Sequence, residues 1–196
     1  MAQRGPYSKT AATRGQILTA ALEVISQNGY SGATLQQVAD AVGMSKPGVL
    51  HHFGTRDGLF TAVLARRDEI NTATVGADDD LVTAFLESAR RNTGVPGLVA
   101  LFTALAAVAA TDLSAAESRE FFAARYPRLI ALLAGAIRVR QESGEVASTA
   151  SPEALAGLLV AASDGLQTRW LLDPSVDLIG ELEVLWSLMA APATVV

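Results

Sequence analysis

Apolar residues recur at intervals of three and four along most of the chain, a spacing that predicts helices. Leu18, Ala21, Leu22 and Ile25 share one face of a first helix, Thr13 to Gln27, which Asn28-Gly29 ends. Leu35, Val38, Ala39 and Val42 follow the i, i+3, i+4, i+7 spacing of a second helix. Thr34 is placed to cap it, and Gly43, which tolerates a left-handed backbone, to stop it. Ser45 caps a third helix with Pro47 in its first turn and Val49, Leu50 and Phe53 on its inner face. Gly54 breaks the chain, and Thr55 caps a fourth helix, Arg56 to about Asn71, that buries Leu59, Phe60, Val63 and Leu64. Beyond it the pattern gives helices over Leu81–Asn92, Gly97–Thr111, Ala115–Glu142 (with Pro127 expected to kink it), Ser151 to about Leu172, and about Asp177 to Ala190. The Gly97–Thr111 helix is apolar on most faces and is expected to be central. There is no alternation of period two and no internal repeat, so the expected fold is all-α with about nine helices.

The second and third helices carry the chemistry. With Val49, Leu50 and Phe53 turned inward, Lys46, Gly48, His51 and His52 point outward. A short helix with a small, basic and aromatic outer face, held by a capped partner, is what a helix-turn-helix needs to enter a DNA major groove. Lys46 at the head of that helix suits a phosphate or a guanine edge. Ser45, Pro47 and Gly48 form the turn that would approach the groove. Val49 is open between core and a thymine methyl contact. His51 and His52 are neighbours about 100° apart on a helix. They are read as neutral hydrogen-bonding groups for phosphate or base. Thr34 and Arg56 flank the unit at helix starts, where hydroxyls, free N–H groups and positive charge suit phosphates. Ala33 and a flexible basic arm over residues 1–12, with Arg4, Lys9 and nearby Arg14, are weaker candidates.

Charge sharpens this picture. The net charge is −5, but residues 1–67 carry seven Lys/Arg and three acids, a net of +4, and the remainder carries −9. A basic head on an acidic body suits a nucleic-acid-facing end. The chain has 196 residues and no cysteine, which excludes disulfides and thiolate metal sites and fits a reducing cytoplasm. No apolar run approaches the ~20 residues of a membrane span, so no membrane partner is expected. The run Asp78-Asp79-Asp80 reads as a solvated turn or helix cap. With two histidines side by side and no EF-hand spacing, neither a metal nor another cofactor is expected. Gly-x-Ser-x-Gly, phosphate-binding-loop and His-Glu-x-x-His patterns are all missing, so an all-α enzyme is disfavoured.

The stretch Thr-Leu-Gln-Gln-Val-Ala-Asp-Ala-Val-Gly-Met-Ser-Lys-Pro-Gly-Val-Leu-His-His-Phe-Gly-Thr-Arg-Asp-Gly-Leu-Phe, after a helix ending at Asn-Gly-Tyr, resembles the tetracycline-repressor type of bacterial transcriptional regulators. The specific match covers residues 13–66. The rest agrees in helix count and order, with Asp164–Pro174 similar to the penultimate helix of many such regulators. That resemblance implies a three-helix DNA-binding domain over residues 1–55 and a ligand-binding and dimerisation domain over residues 56–196. It implies a double-stranded operator, a homodimer and a small-molecule effector as partners. The effector pocket would be lined by Phe85, Phe102, Thr103, Phe122, Arg125, Tyr126, Gln167 and Trp170, mostly apolar walls that favour a lipophilic ligand. The dimer interface would be formed by Leu158, Leu159, Ala162, Leu166, Leu182, Leu185, Trp186 and Met189. Family members commonly carry Tyr where this chain has Leu50, so one backbone contact is expected to be absent or taken over by a histidine. The expected function is a repressor released from a palindromic operator by its effector. The alternative is a small-molecule-binding or carrier protein that retains the head without sequence-specific use.

Overall fold

The computed structural model describes residues 6–76, 80–147 and 149–190, with the backbone alone for 6–9. Arg4, the Lys9 side chain, Asp78 and Asp79, all weighed above, lie outside the described residues. Within them the chain forms nine helices and no strand. They are α1 (Pro6–Gly32), α2 (Leu35–Ala41), α3 (Lys46–Phe53), α4 (Arg56–Ala73), α5 (Leu81–Thr93), α6 (Leu98–Thr111), α7 (Ala116–Glu142), α8 (Pro152–Leu172) and α9 (Leu178–Ala190).

Local chemistry sets most of these boundaries. Thr34, Ser45, Asp80 and Ser151 each accept a backbone N–H three residues on, the bond of an N-cap. Asp80 thus takes the capping role open to its acidic run. Its carboxyl is raised by burial but more than offset by the Thr83 hydroxyl and amide and by Arg140, which leave it below the usual carboxylate range. Pro127 sits inside an α7 that stays one helix. Two boundaries differ from the sequence pattern. Helix α1 starts at Pro6, so residues 6–12 are helical rather than a flexible arm. Its conformation breaks at Gly29 (φ 67°, ψ 171°), where the sequence places the helix end, before helical turns resume.

The chain packs as two compact units. The first holds Met1–Ile70 with Val95–Phe121; the second holds Asn71–Gly94 with Phe122–Val196. In the first, α1 packs against both α2 and α6. Two partners need a wide apolar stripe, and α1 buries Ile17, Ala20, Ala21, Val24 and Ile25, leaving Leu18 and Leu22 only half-buried. Val38, Val49, Leu59, Phe60, Leu64, Leu101 and Leu105 complete this core. Each such side chain contributes about 1.5–3 kcal/mol when fully buried. This packing differs from the division after residue 55 drawn from the sequence, because most of α4, all of α6 and the start of α7 pack with the head. In the second unit α5, α7, α8 and α9 share a core of Val82, Leu86, Leu133, Ile137, Leu155, Leu159 and Leu182. Among the described residues, no single helix is long and apolar enough to cross a membrane.

Candidate nucleic-acid interface

The turn between α2 and α3 is fixed from within. Thr34 and Gln37 form a capping box: the Gln37 amide donates to Thr34 Oγ1 at 3.2 Å, and the Thr34 amide donates to Gln37 Oε1 at 2.8 Å. At the far end of α2, Gly43 adopts φ 65°, and the Met44 amide returns to the Ala39 carbonyl at 2.9 Å. Ser45 Oγ then accepts the Gly48 amide at 3.2 Å and starts α3. A Cβ on Gly48 would meet Met44 Cε at 3.2 Å and Ser45 Oγ at 3.3 Å, so the bare backbone also serves the turn itself.

Helix α3 presents Lys46, Pro47 and His51 to solvent, with Gly48 and His52 half-buried. The rings of His51 and His52 lie edge to face, 5.8 Å between centroids. Thr34 and Ser45 are exposed beside them. Leu50 and Phe53 are half-buried. Val49 has no accessible surface. Of its two sequence readings only core remains, since a side chain closed off by α3's own packing cannot reach a thymine methyl.

One arginine ties α3 to α1, and a second ties the start of α4 to the chain before α2. Arg14 of α1 donates through Nη1 to the His52 carbonyl, and its guanidinium carbon lies 4.3 Å from the Phe53 ring centroid. A cation at the C-terminal turn of a helix meets the negative end of its dipole and carbonyls without partners. Arg56, opening α4, donates to the Ala33 carbonyl at 3.2 Å and to the Tyr30 carbonyl. Its guanidinium carbon is 4.5 Å from the Tyr30 ring and 4.6 Å from the Phe60 ring. The fork of Arg56, read from the sequence for phosphate, is thus bonded to backbone carbonyls of its own unit. The sequence shows the two cations but not the carbonyls 26 and 38 residues away that they serve.

The residues read as a pocket do not all fall in one unit. Phe102, buried, and Thr103, with a buried hydroxyl lacking a hydrogen-bond partner, belong to the first. Phe85, Phe122, Arg125, Tyr126, Gln167 and Trp170 belong to the second. There Phe122 stacks on Tyr126 at 5.7 Å, and Arg125 lies 5.9 Å from the same ring. The Tyr126 hydroxyl donates to Asp164 Oδ2 at 2.6 Å. Burial first, then this bond and the negative charge of Asp164, push the phenol well above its ordinary range. Gln167 donates to the Ser163 carbonyl at 3.3 Å. Asp164 and Ser163 went unread in the sequence because polar residues inside an apolar helix carry no spacing signal. A separate cleft of about 300 Å³ is lined by Thr74, Val75, Asp80, Thr83, Ala84, Glu87 and Arg91, none of them foreseen.

The residues read as a dimer surface also divide. Leu159, Leu166 and Leu182 are buried in their own unit, because they belong to the core shared by α5, α7, α8 and α9. This removes them from the expected interface. Ala162, Leu185, Trp186 and Met189 are half-buried. Leu158 is 60 % exposed, and Val184 and Leu188, not foreseen, are 60 % and 71 % exposed.

An all-helical chain whose α2 and α3 form a capped, externally braced pair carries a helix-turn-helix head. Residues 17–63 match the model of the bacterial regulatory proteins of the tetR family. Over 70 residues the chain is 39 % identical to the repressor AcnR of Corynebacterium glutamicum. That match spans 36 % of this chain and 37 % of the length of the relative. A crystal structure of a putative TetR-family transcriptional regulator from a Rhodococcus species superposes with TM-score 0.73 at 24 % identity, over 92 % of this chain and all of that one. Thermus thermophilus FadR, a TetR-family repressor solved with lauroyl-CoA, superposes with TM-score 0.62 at 21 % identity, over 93 % and 96 % of the two chains. Over residues 17–63 the chain is thus similar to the tetR family, and it shares the fold of these solved structures over most of its length.

Proposed function

We propose that the protein is a homodimeric, sequence-specific DNA-binding regulator that acts as a repressor and leaves its operator when a lipophilic effector binds. Residues 1–55 read DNA, and residues 56–196 hold the effector and the dimer. The observation that carries this reading is α3 itself, capped by Ser45, pinned at its far end by Arg14 and offering Lys46, Pro47 and His51 to solvent. Thr34, exposed at the start of α2, adds a phosphate contact through its hydroxyl. The likeness to AcnR supports repression, and the lauroyl-CoA bound to FadR supports a lipophilic effector. The dimer forms through the exposed faces of α8 and α9. Two-fold symmetry then sets two α3 helices about one DNA turn, ~34 Å, apart.

The test is a titration of the purified protein on the DNA upstream of its own gene and on a random duplex, at several salt concentrations. Tighter binding to the upstream DNA is expected, and equal affinity at every salt would overturn the reading. Lys46→Ala should weaken binding by about 1 kcal/mol and, if the lysine contacts phosphate, lower the salt slope by about one. Adding lauroyl-CoA as a lipophilic probe should release the DNA.

A further inference from the structure

Helix α7 begins after Ala115, a residue with no side-chain oxygen to cap it. The amide that a capping residue normally satisfies, that of Ser118, is bonded instead to Asp57 Oδ2 at 2.9 Å. Asp57 lies in the first turn of α4, 61 residues away in the chain. The link is doubled. Thr55 Oγ1 accepts the Gly58 amide at 2.8 Å, capping α4, and donates its proton to Glu117 Oε1 at 2.9 Å. The Glu117 carboxyl is held below its ordinary range by its own backbone amide first and then by this hydroxyl, so it is ionised and a strong acceptor. The first turn of α7 is therefore capped from α4, and the residue that caps α4 is bonded to α7.

Both sides of this joint are stiff. Arg119 of α7 donates to the Ala109 carbonyl of α6 at 2.9 Å. Asp112 accepts the Ser114 amide at 2.8 Å and its hydroxyl at 2.7 Å, fixing the turn between α6 and α7. On the α4 side, the Thr55 amide returns to the Phe53 carbonyl at 2.9 Å. Gly58 packs so closely there that a Cβ would stand 2.4 Å from the Phe53 oxygen. Only Gly54 and Thr55 separate α3 from α4, so a shift of the first turn of α4 is passed to α3.

We propose that Asp57 and Thr55 are positioning residues for operator recognition: by tying the first turn of α4 to that of α7 they set the angle at which α3 meets DNA. The proposal rests on the DNA-binding reading and adds the residues that hold α3 for it. The test uses the full chain and three variants. Asp57→Ala removes the cap, Asp57→Asn keeps an acceptor for the Ser118 amide, and Thr55→Val removes only the hydroxyl. Affinity is measured for a two-half-site duplex selected by the unaltered protein and for a random duplex. Asp57→Ala and Thr55→Val should each lose about fivefold on the selected duplex, the factor one cap is worth, and Asp57→Asn much less. Random-duplex affinity should stay unchanged in all three. Equal losses on both duplexes, or no loss on either, overturn the proposal, since a structural role alone would lower the folded fraction for every DNA. Amide hydrogen exchange supplies an arm free of DNA. Asp57→Ala should speed exchange at Ser118 and across Lys46–Phe53, and Asp57→Asn should not. If the unaltered protein bound both duplexes alike, the regulator reading would fail, and exchange would decide: unchanged rates in α3 would then overturn the positioning role.

Discussion

Replacing Arg56 by alanine removes two charge-assisted bonds to carbonyls and the cation packed beside Tyr30 and Phe60. The Ala33 and Tyr30 carbonyls would be left without that donor, and the expected loss is about 2–3 kcal/mol in denaturant unfolding. Arg56→Lys keeps the charge without the planar fork and should recover less than half of it. A lysine variant as stable as the original would show that only charge matters there. Tyr126 offers a different measurement. Its folded pKa lies above the ~10 of a free phenol, so the protonated form is favoured by the fold. The stability this supplies is fully present below pH ~10 and lost as pH rises through the folded value. An alkaline absorbance titration should show a late-ionising tyrosine that disappears in Tyr126→Phe.

Helix ends set by neighbours in sequence were legible; those set by distant chain were not. Thr34 and Ser45 bond amides three residues on, so a reader of the sequence finds both cap and target. Asp57 bonds Ser118, and nothing in the local pattern of either residue announces the other. Gly97 belongs with the second kind. It has φ 78°, and a Cβ there would stand 2.8 Å from Ser26 Cα, where α6 starts against α1. Gly97→Ala should therefore cost about 1–3 kcal/mol through backbone strain and the α1–α6 contact. A thermal melt unchanged from the original protein would show that the α1–α6 crossing gives way at no cost.

For the whole molecule, the proposed dimer surface is one place where exposure and apolarity disagree. Val184 and Leu188 lie four residues apart on α9 and remain largely exposed, as does Leu158 on α8. If those faces form the proposed dimer, Leu188→Glu places a charge in its centre and should shift the protein to monomer in sedimentation. Helical content should be unchanged, while operator binding falls, because one half-site holds far less tightly than two. A variant that stayed dimeric would move the interface elsewhere.

The sequence by itself determined the helices, the capped turn and, of the outward set Lys46, Gly48, His51 and His52, the exposed Lys46 and His51, because helix periodicity and caps act over three or four residues. It also placed the positive charge at the end that carries the helix-turn-helix. Only the tertiary structure decided which of two plausible partners a side chain takes. It sent Val49 to the core, bonded Arg56 to the Ala33 and Tyr30 carbonyls, sank Leu159, Leu166 and Leu182 into the core of the second unit, and joined Asp57 to α7. Each of those outcomes depends on chain far away in sequence, and an apolar or charged residue looks the same in the sequence whichever neighbour it meets.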